Sequence, residues 1–353
     1  MKGDSIPEGD ATRAPRALDV AAAAGVSTAT VSRSFNFPEK VAPAVRERVL
    51  AAATSLGWLP HAAGSALARR RTAIAGVVIP TLGQEVFATQ VDAMQAAFAE
   101  RDITLLIGCS NYDPAQAAVQ VRAMLARGVE ALVVLGEAQQ PGVFEMIRAR
   151  RVPYVVTYGC RPEAPHPCIG FDNRQAYRTI TRHLLDLGHQ VFGVILQPMP
   201  GNDRVAARLA GVREALAEQG LGLRPQHLHE GVYGIGAGRR GLRAILDGSP
   251  PHPTAVICGN DSLAVGALLE ARVMGLSVPH DLSIVGFDDI AIAAEIEPAL
   301  TTMRVDNTEI GRLAARYLLA LLDGETPPSK VVIVPTFVER ATTAPPPALS
   351  TSR

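Results

Sequence analysis

The sequence predicts an N-terminal all-α helix-turn-helix domain followed by an α/β domain of two lobes. Three observations support this fold class. A chain of 353 residues is too long for one ordinary hydrophobic core and suits two or three domains. Short helical patterns broken by a glycine turn fill the segment up to Leu59. From Ala73 onward, short apolar runs rich in β-branched residues alternate with helical patterns.

The segment Leu18–Asn36 carries two short helical patterns joined by a turn. Gly25 adopts positive φ without strain, and Ser27 offers a side-chain oxygen that caps the helix after it. The second helix is therefore predicted to start at Thr28 and to bury Val31. Its outer face carries small polar residues and an arginine, which is typical of a helix that reads the DNA major groove. The residues that we predict to contact DNA here are Thr28, Ala29, Thr30, Ser32, Arg33 and Asn36.

Positive charge is concentrated in this N-terminal part of the chain. The formal net charge of the whole protein is zero. Between Ala11 and Thr72, however, nine basic residues face three acidic residues, and the rest of the chain cancels the excess. A third helix is expected from Pro43 through Leu56, with Trp58 closing a small core. This local basic surface favours a nucleic-acid partner for the N-terminal domain.

Residues Ala24–Asn36, AGVSTATVSRSFN, match the pattern AGVSxxTVSRxxN. On this motif the chain resembles the lactose-repressor (LacI/GalR) family of bacterial transcriptional regulators, and the resemblance covers nearly the whole chain. It implies that the two lobes have the type I periplasmic-binding-protein-like fold and bind a small-molecule effector, a sugar or a sugar acid. It also implies a homodimer that binds palindromic operator DNA and represses transcription.

Residues 60–73 resemble the hinge helix of that family. The resemblance implies that Leu67 wedges a base step apart in the minor groove, so Leu67 joins the predicted DNA-binding residues. An isolated helix this short is marginal in water, and Gly64 weakens it further, so we expect it to fold only on DNA. His61 and Gly64 stand where many members have asparagine and alanine. The alternative is a solvated linker kept soluble by Arg69–Arg71.

Fully apolar short strands separated by helices predict parallel sheets that are covered on both faces. Seven or more such units suggest two successive α/β lobes. Thr301–Asp306 resembles the family's crossover strand, helix Thr308–Leu322 would return to the first lobe, and Val331–Val338 would complete the sheets. The predicted boundaries are a disordered extension at 1–15, the helix-turn-helix domain at 16–59, the hinge at 60–73, the effector domain at 74–342 and a flexible tail at 343–353. Lobe 1 would cover about 74–173 and 304–334, and lobe 2 about 174–303 and 335–342.

Ligands of open α/β sheets bind at the carboxyl ends of the strands. Aromatic residues that follow strands supply apolar walls for sugar rings or planar bases, and polar residues beside them supply hydrogen bonds. Arg208 can grip a carboxylate with two hydrogen bonds, which favours a sugar acid, whereas Asp288 favours the hydroxyl groups of a neutral sugar. Both classes stay open, as does a purine-type co-repressor. The predicted effector contacts, which coincide with the family's positions, are Phe87, Tyr158, Arg208, Tyr233, Asn260, Phe287 and Asp288.

Some residues near these strand ends allow a second interpretation. Phe87 also suits a plain core position. Tyr158 stands where the lactose repressor has an aspartate, so the sugar contact at that position is open. Asp261 either caps a helix that starts at Ser262 or binds the ligand.

Other classes of protein fit the sequence less well. Gly236–Gly241 satisfies the G-x-G-x-x-G pattern of nicotinamide-dependent dehydrogenases, but it follows a polar stretch rather than the first strand of a βαβ unit. A periplasmic sugar-binding protein would share the two lobes but not the helix-turn-helix. We therefore expect no enzyme and no cofactor. Because the tail after Arg340 has no leucine heptads, a dimer is expected rather than a tetramer.

The cysteines and the N-terminus favour a cytoplasmic location. Cys109, Cys160, Cys168 and Cys258 show no C-x-x-C spacing, so we predict buried free thiols and no metal site. The N-terminus lacks the apolar core of a secretory signal, and no later apolar run approaches the roughly 20 residues of a membrane span. No membrane partner is expected.

Overall fold

The structure is a computed structural model that describes residues 13–60 and 71–347. The chain divides between Ala73 and Ile74 into two units. Three predictions fall wholly or partly on other residues. The hinge prediction with Leu67, His61 and Gly64, the disordered extension up to residue 12, and the end of the flexible tail from residue 348 lie outside the described residues.

Three short helices form the N-terminal unit. Gly25 has φ 64° and ends the first helix, and the Ser27 hydroxyl accepts a hydrogen bond of 3.1 Å from the Thr30 backbone N–H at the start of the second. The predicted turn chemistry therefore sets the angle between the two helices. The helices are α1 (Ala17–Ala24), α2 (Thr28–Asn36) and α3 (Pro43–Ser55), with a 3₁₀ turn at Pro38–Lys40.

The core of this unit is small and is built from short side chains. Val20, Val31 and Val49 are fully buried, and the Phe35 ring packs edge-on against Trp58 at 5.4 Å between centroids. The helical spacing of apolar residues predicts that Leu18 in the first helix and Leu56 in the third face the core, but Leu18 is 58% exposed and Leu56 is 37% exposed. Leu18 lies in the first turn of α1, and Leu56 lies one residue beyond the end of α3. The stripes are therefore narrower than predicted.

The second unit contains two parallel sheets, each covered by helices. The first sheet has the strand order β11-β5-β4-β3-β1-β2, and the second has the order β7-β6-β8-β9. The strands are β1 (Ile74–Ile79), β2 (Thr104–Cys109), β3 (Ala131–Leu135), β4 (Tyr154–Thr157), β5 (Cys168–Gly170), β6 (Phe192–Leu196), β7 (Leu228–Glu230), β8 (Ala255–Cys258), β9 (Ser283–Val285), β10 (Thr302–Arg304), β11 (Lys330–Val332) and β12 (Thr336–Val338). The predicted α/β architecture is confirmed, because every pair within the two sheets is parallel.

The helices of this unit follow the strands in the expected alternation. Helices α7 and α8 pack on each other, as do α9 and α10, and α4 packs on α12. The helices are α4 (Glu85–Ala99), α5 (Pro114–Ala126), α6 (Val143–Ala149), α7 (Asn173–Asp186), α8 (Asp203–Ala217), α9 (Ile235–Leu246), α10 (Asp261–Val273), α11 (Ile292–Glu295) and α12 (Asn307–Leu322); a 3₁₀ turn lies at Pro225–His227.

Three segments of chain join the two sheets. They run between β5 and α7, between β10 and α12, and between β11 and β12, and β10 pairs antiparallel with β12. We call the first sheet with α4, α5, α6 and α12 the first lobe, and the second sheet with α7 to α11 the second lobe. Three crossings at one edge leave the lobes joined along that edge only, so the carboxyl ends of both sheets face a shared cleft.

The C-terminal segment is bound to the second lobe beyond residue 342. Thr342 is fully buried, and its hydroxyl donates to the Ile284 carbonyl at 2.6 Å. The Ala344 carbonyl accepts from the Ser283 hydroxyl at 3.0 Å. The prediction of a flexible tail from residue 343 is therefore wrong at its start, because these residues extend the edge beside β9.

The glycine pattern at Gly236–Gly241 lies within α9 and serves helix packing. A Cβ added at Gly238 would overlap the Leu263 carbonyl oxygen of α10, and one at Gly241 would lie 2.8 Å from a methyl group of Ile195. These glycines let α9 approach its neighbours closely. That contact accounts for the pattern without a dinucleotide phosphate.

Cys160 and Cys168 form a disulfide, with 5.3 Å between their Cα atoms. The prediction of free thiols is wrong for this pair. Their proximity follows from the parallel pairing of β4 with β5, in which Val156 lies opposite Cys168. Cys258 is a buried free thiol, whereas Cys109 is only half-buried. Within residues 13–60 and 71–347, no helix is both long and apolar enough to span a membrane.

Candidate functional site

The outer face of α2 is the first candidate site. Thr28, Ala29, Ser32 and Arg33 are all exposed, while Val31 on the opposite face is fully buried. A helix of nine residues thus presents two hydroxyl groups, a methyl group and a guanidinium together. This is the size and chemistry that fit base edges in a major groove.

Two further residues predicted to contact DNA are less exposed. Thr30 is half-buried, and its hydroxyl lies 3.0 Å from the Ser27 hydroxyl at the helix start. Asn36 is half-buried at the end of α2 and donates to the Ser32 hydroxyl at 3.3 Å. Both residues therefore form hydrogen bonds near the ends of α2, and their other polar atoms remain available for contacts with DNA. The same unit also carries further exposed basic residues, Arg16, Lys40, Arg46 and Arg48.

The second candidate site is a small cavity between the lobes, which we call the inner cavity. It has a volume of about 30 Å³. Residues from the strand ends of both lobes meet there, although they are far apart in sequence. It is lined by Gln84, Val86, Phe87, Tyr112, Tyr158, Gln197, Asn202, Arg204, Val205, Arg208, Tyr233, Asn260 and Asp288. Six of the seven predicted effector contacts are in this set.

Tyr158 and Asp288 connect the two lobes across the inner cavity. The Tyr158 hydroxyl donates to Asp288 Oδ1 at 2.6 Å, and the Phe87 ring lies 5.6 Å from the Tyr158 ring. Both bonded residues have positive φ, 69° for Tyr158 and 111° for Asp288, which is uncommon for residues other than glycine. Backbone strain of this kind is concentrated at functional sites. Burial raises the pKa of Asp288 to about 6, against the opposing charge of Arg208.

Arg208 has two of its five N–H donors bound within the protein. Its Nε donates to Asn173 Oδ1 at 2.8 Å, and its Nη1 donates to the Gly259 carbonyl at 2.6 Å. The guanidinium also stacks on the Phe287 ring at 4.2 Å, and the residue is 5% exposed. The interpretation of Arg208 as a bidentate carboxylate clamp stays a prediction, which the structure limits to the N–H donors left on Nη1 and Nη2.

Phe287 is also placed differently from the prediction. It is fully buried, with the rings of Phe171 and Tyr177 at 5.6 and 5.1 Å. Its ring packs against the Arg208 guanidinium and does not line the inner cavity. Phe287 therefore makes no wall contact in this structure, because its ring is packed in the core against Phe171 and Tyr177.

The sequence left open whether Asp261 caps α10 or contacts the ligand, and in the structure Asn260, not Asp261, holds both the capping position and the place in the cavity wall. Asn260 lines the inner cavity and caps α10, since its Oδ1 accepts from the Leu263 N–H at 2.9 Å. Asp261 is the first residue of α10 and is fully buried. It accepts from the Thr302 hydroxyl at 2.6 Å and from the Ile290 N–H at 2.9 Å. Burial raises the pKa of Asp261 to about 8. Asp261 thus ties α10 to β10.

A stacked tyrosine pair closes the inner cavity on one side. The rings of Tyr112, which follows β2, and Tyr233, which follows β7, lie 3.7 Å apart at an angle of 14°. The pair therefore joins the two lobes. The Tyr233 hydroxyl accepts from Asn202 Nδ2 at 3.2 Å. Burial raises the pKa of Tyr112 and of Tyr233, so both phenols are neutral hydrogen-bonding groups at physiological pH.

A larger space, which we call the outer cleft, lies on the other side of the tyrosine pair. Its volume is about 460 Å³, which is enough for a sugar or a nucleobase derivative. Its wall is mainly apolar, with prolines from both lobes and a few polar groups. Its lining includes Pro80, Tyr112, Gln139, Asn202, Arg204 and Tyr233.

Sequence reasoning missed several of these lining residues. Tyr112 follows β2 directly, so the strand-end rule that selected Phe87 and Tyr233 could have found it. Asn202 caps α8 through the Val205 N–H, a signal that predicts a helix start but no ligand contact. Arg204 carried no distinguishing pattern. Among the described residues, no group of three His, Cys, Asp or Glu side chains could hold a metal ion.

Comparison with known proteins matches both sites to one family. The family described as "Bacterial regulatory proteins, lacI family" matches residues 18–61, and the periplasmic binding protein-like domain matches residues 181–343. The HTH-type transcriptional repressor CytR of Escherichia coli K12 is 33% identical over 310 residues, which cover 87% of this chain and 89% of that protein. The chain belongs to the lacI family. It is a DNA-binding transcriptional regulator controlled by an effector, and its relatives are regulators rather than enzymes.

Solved structures of the lacI family agree with the two-lobed arrangement. The lac repressor dimer bound to operator and the anti-inducer ONPF has a TM-score of 0.81 and 26% identity, covering 94% of this chain and 100% of that chain. The transcriptional regulator CelR in complex with cellobiose has a TM-score of 0.66 and 29% identity, covering 93% and 99%. The predicted fold class, a helix-turn-helix domain plus a type I periplasmic-binding-protein-like domain, is confirmed.

Proposed function

We propose that this lacI-family regulator is a repressor that binds a palindromic operator as a homodimer in the cytoplasm, and that a small carbohydrate in the cleft between the lobes controls its affinity for DNA. The exposed face of α2 is the observation that carries this proposal, because Thr28, Ala29, Ser32 and Arg33 have no role in the core. Two recognition helices about one DNA turn apart read the two halves of a palindrome.

The chemistry of α2 assigns separate tasks to its exposed residues. Arg33 is long enough to reach guanine O6 and N7 with two hydrogen bonds. Ala29 and the methyl group of Thr28 suit contact with a thymine methyl. Thr30 and Asn36 position the ends of the helix, and Leu67 would add a minor-groove contact from the hinge. The neighbouring basic residues bind phosphates and set the salt dependence of binding.

The effector part of the proposal rests on the inner cavity. Asp288 accepts hydrogen bonds from hydroxyl groups, Asn260 adds an amide, and Phe87 and Tyr158 supply ring faces that sugars pack on. A volume of about 30 Å³ holds no sugar, so binding requires the lobes or the tyrosine pair to move. A ligand that favours one lobe angle shifts the population of that state and thereby the spacing of the DNA-binding domains. The transcriptional regulator CelR, a structurally similar protein, has been solved in complex with the carbohydrate cellobiose.

A purine-type ligand is the second candidate, and the stacked tyrosine pair favours it. A planar base can stack against the outer face of a parallel aromatic pair, and Tyr112 and Tyr233 form such a pair. The two candidate ligand classes can be distinguished in one screen that contains both purines and carbohydrates.

The test is fluorescence anisotropy on labelled promoter fragments next to the gene, with a thermal-shift screen of sugars, sugar acids and purines. We expect nanomolar binding to one palindrome at low salt and a change in that affinity with the stabilising compound. Arg33→Ala is expected to weaken operator binding by about 10- to 100-fold, since one bidentate base contact contributes roughly 1–3 kcal/mol. Arg213→Ala, on the exposed side of α8, is the matched control and should bind as wild type. Failure to bind any fragment, with or without compounds, contradicts the proposal.

A further inference from the structure

Arg204 lies where the spaces around the effector site meet. It lines the inner cavity and the outer cleft, and it also borders a third crevice beside Glu137 and Arg161. It is the second residue of α8, in the second lobe. Its side chain is only 11% exposed. A cation at this position faces any ligand that enters from the outer cleft.

The first lobe has a slot that fits the Arg204 side chain. A Cβ added at Gly136 would overlap Arg204 Nη1, and one at Gly159 would lie 3.9 Å from Arg204 Cγ. Gly136 has φ 77°, a conformation that glycine adopts without strain. The side chain therefore crosses from the second lobe to the first between two glycines. This position depends on the lobes being close together.

The guanidinium of Arg204 is poorly paired in this slot. Asp203 Oδ1 lies 3.5 Å from Arg204 Nη1, an ion pair without a hydrogen bond. The other oxygen, Asp203 Oδ2, accepts from the Glu137 backbone N–H at 3.0 Å. Across residues 13–60 and 71–347, no hydrogen bond from the five N–H donors of Arg204 is formed. The side chain is little exposed, so an anion that reaches it from the outer cleft meets a charge that water screens less than it would at an exposed arginine.

Arg208, one turn further along α8, is the internal comparison. Its guanidinium donates to Asn173 and Gly259 and stacks on Phe287. Those partners hold it as part of the lobe. Of the two arginines that line the inner cavity, Arg208 therefore has two of its five N–H donors bound within the protein, whereas Arg204 has none bound among the described residues.

The surroundings of Arg204 contain groups that suit an anionic, hydroxyl-rich ligand. The Tyr112 hydroxyl and Gln139 Oε1 are buried in the outer cleft without hydrogen-bond partners among the described residues. The N-terminus of α8, with its partial positive charge, begins at the same place. The acidic residues nearby are already engaged. Asp113 is exposed and caps α5, Asp203 is bound to Glu137, Asp288 is bound to Tyr158, and Glu85 accepts from Ala291.

We propose that the effector is an anionic sugar, a sugar acid or a sugar phosphate, and that Arg204 binds its carboxylate or phosphate while the sugar ring contacts the tyrosine pair and Asp288. This inference rests on the proposed function, since it names the ligand class of the same site. It transfers the acid-binding role from Arg208 to Arg204. Arg204 is then the residue that determines specificity for charge.

The test is isothermal titration calorimetry of the full chain with matched neutral and anionic probes. The probes are glucose, gluconate, glucuronate and glucose 6-phosphate, with ribose and ribose 5-phosphate as a second series. We expect at least one anionic probe to bind 10-fold or more tightly than its neutral counterpart. Whether a carboxylate or a phosphate probe binds distinguishes the two sources of charge.

Variants assign the preference to one side chain. Arg204→Gln is expected to lose about 10-fold or more in affinity for the anionic probe, the scale of one or two charge-assisted hydrogen bonds, and to change affinity for the neutral probe less than 3-fold. Arg204→Lys keeps the positive charge but cannot form two parallel hydrogen bonds, so its affinity for the anionic probe should lie between those of wild type and Arg204→Gln. Arg213→Gln removes an exposed charge from the same helix and should match wild type. Circular dichroism melts of each variant verify folding.

Three results overturn the assignment: no anionic probe binds, a neutral sugar binds equally well, or Arg204→Gln keeps the affinity of wild type for the anion. Operator binding by the same preparation separates this failure from a failure of the proposed function. A protein that binds its operator and responds to a neutral sugar refutes only the role of Arg204. A protein that binds no operator refutes the proposed function itself.

Discussion

The two units of this protein display their functional residues in opposite ways. On α2, Thr28, Ala29, Ser32 and Arg33 are exposed, and a single run of nine residues carries them all. In the cleft, Tyr158, Arg208 and Asp288 are buried, and they come from parts of the chain up to 130 residues apart. Residues of the surface site can therefore be replaced with little effect on the fold, whereas residues of the site between the lobes also contribute to packing.

The largest effect that distinguishes the two units is expected at Gly238. A Cβ there would overlap the Leu263 carbonyl oxygen, so Gly238→Ala forces α9 and α10 apart. We expect a loss of stability at or above the roughly 1–3 kcal/mol typical of overpacking, seen as a lower urea midpoint. Gly222→Ala is the control, because nothing lies within 4 Å of its added Cβ. Equal urea midpoints for the two variants would show that α9 and α10 do not pack as described.

The next effect concerns the pH dependence of stability through Asp288. Burial raises the pKa of Asp288 to about 6 from a usual value of 3.8, so ionisation is harder in the folded than in the unfolded chain. Its contribution to stability is present at low pH and is lost as pH rises through about 6. The loss between pH 5 and pH 8 is about 1.5 kcal/mol.

Asp288→Asn stays neutral over this whole range, so it provides the reference. As pH rises from 5 to 8, the melting temperature of wild type should fall relative to that of Asp288→Asn. The measurement is made without ligand. Two parallel curves would mean that the carboxyl group titrates in the folded chain as it does in the unfolded chain.

The smallest of these effects is at the start of α2. Ser27→Ala removes the hydroxyl that accepts from the Thr30 N–H at 3.1 Å. For an exposed cap we expect a loss of about 0.5–1 kcal/mol, confined to the N-terminal unit. Thr28→Ala, one residue later and exposed, should change stability less. Urea unfolding followed by the fluorescence of Trp58, the one tryptophan, reports on this unit. A larger loss for Thr28→Ala than for Ser27→Ala would contradict the assignment of the cap.

Local rules predicted the parts of the fold that depend on neighbours in sequence. The turn at Gly25 and Ser27, the buried strands and the strand-end aromatic residue Phe87 follow from periodicity, capping and the strand-end rule. The inward turn of Phe287 and the disulfide of Cys160 with Cys168 did not, because each depends on which strands become neighbours.

Arg204 is the clearest case of a residue that sequence could not identify. Its side chain lies beside Gly136 and Gly159 of the other lobe, and its guanidinium forms no hydrogen bond within the described residues. Arg208, four residues later, is the stronger candidate by sequence because it coincides with a family position, yet its Nε and Nη1 already donate within the protein. Only the three-dimensional partners distinguish two arginines on one helix.

The central claim is that a ligand between the lobes controls DNA binding by α2. The most direct measurement is the operator affinity of the full chain, by fluorescence anisotropy, with and without the compound that most raises the melting temperature of the protein. We expect the operator Kd to change by about 5- to 150-fold, the usual range of allosteric coupling. An operator Kd that stays the same when the cleft is saturated would contradict it.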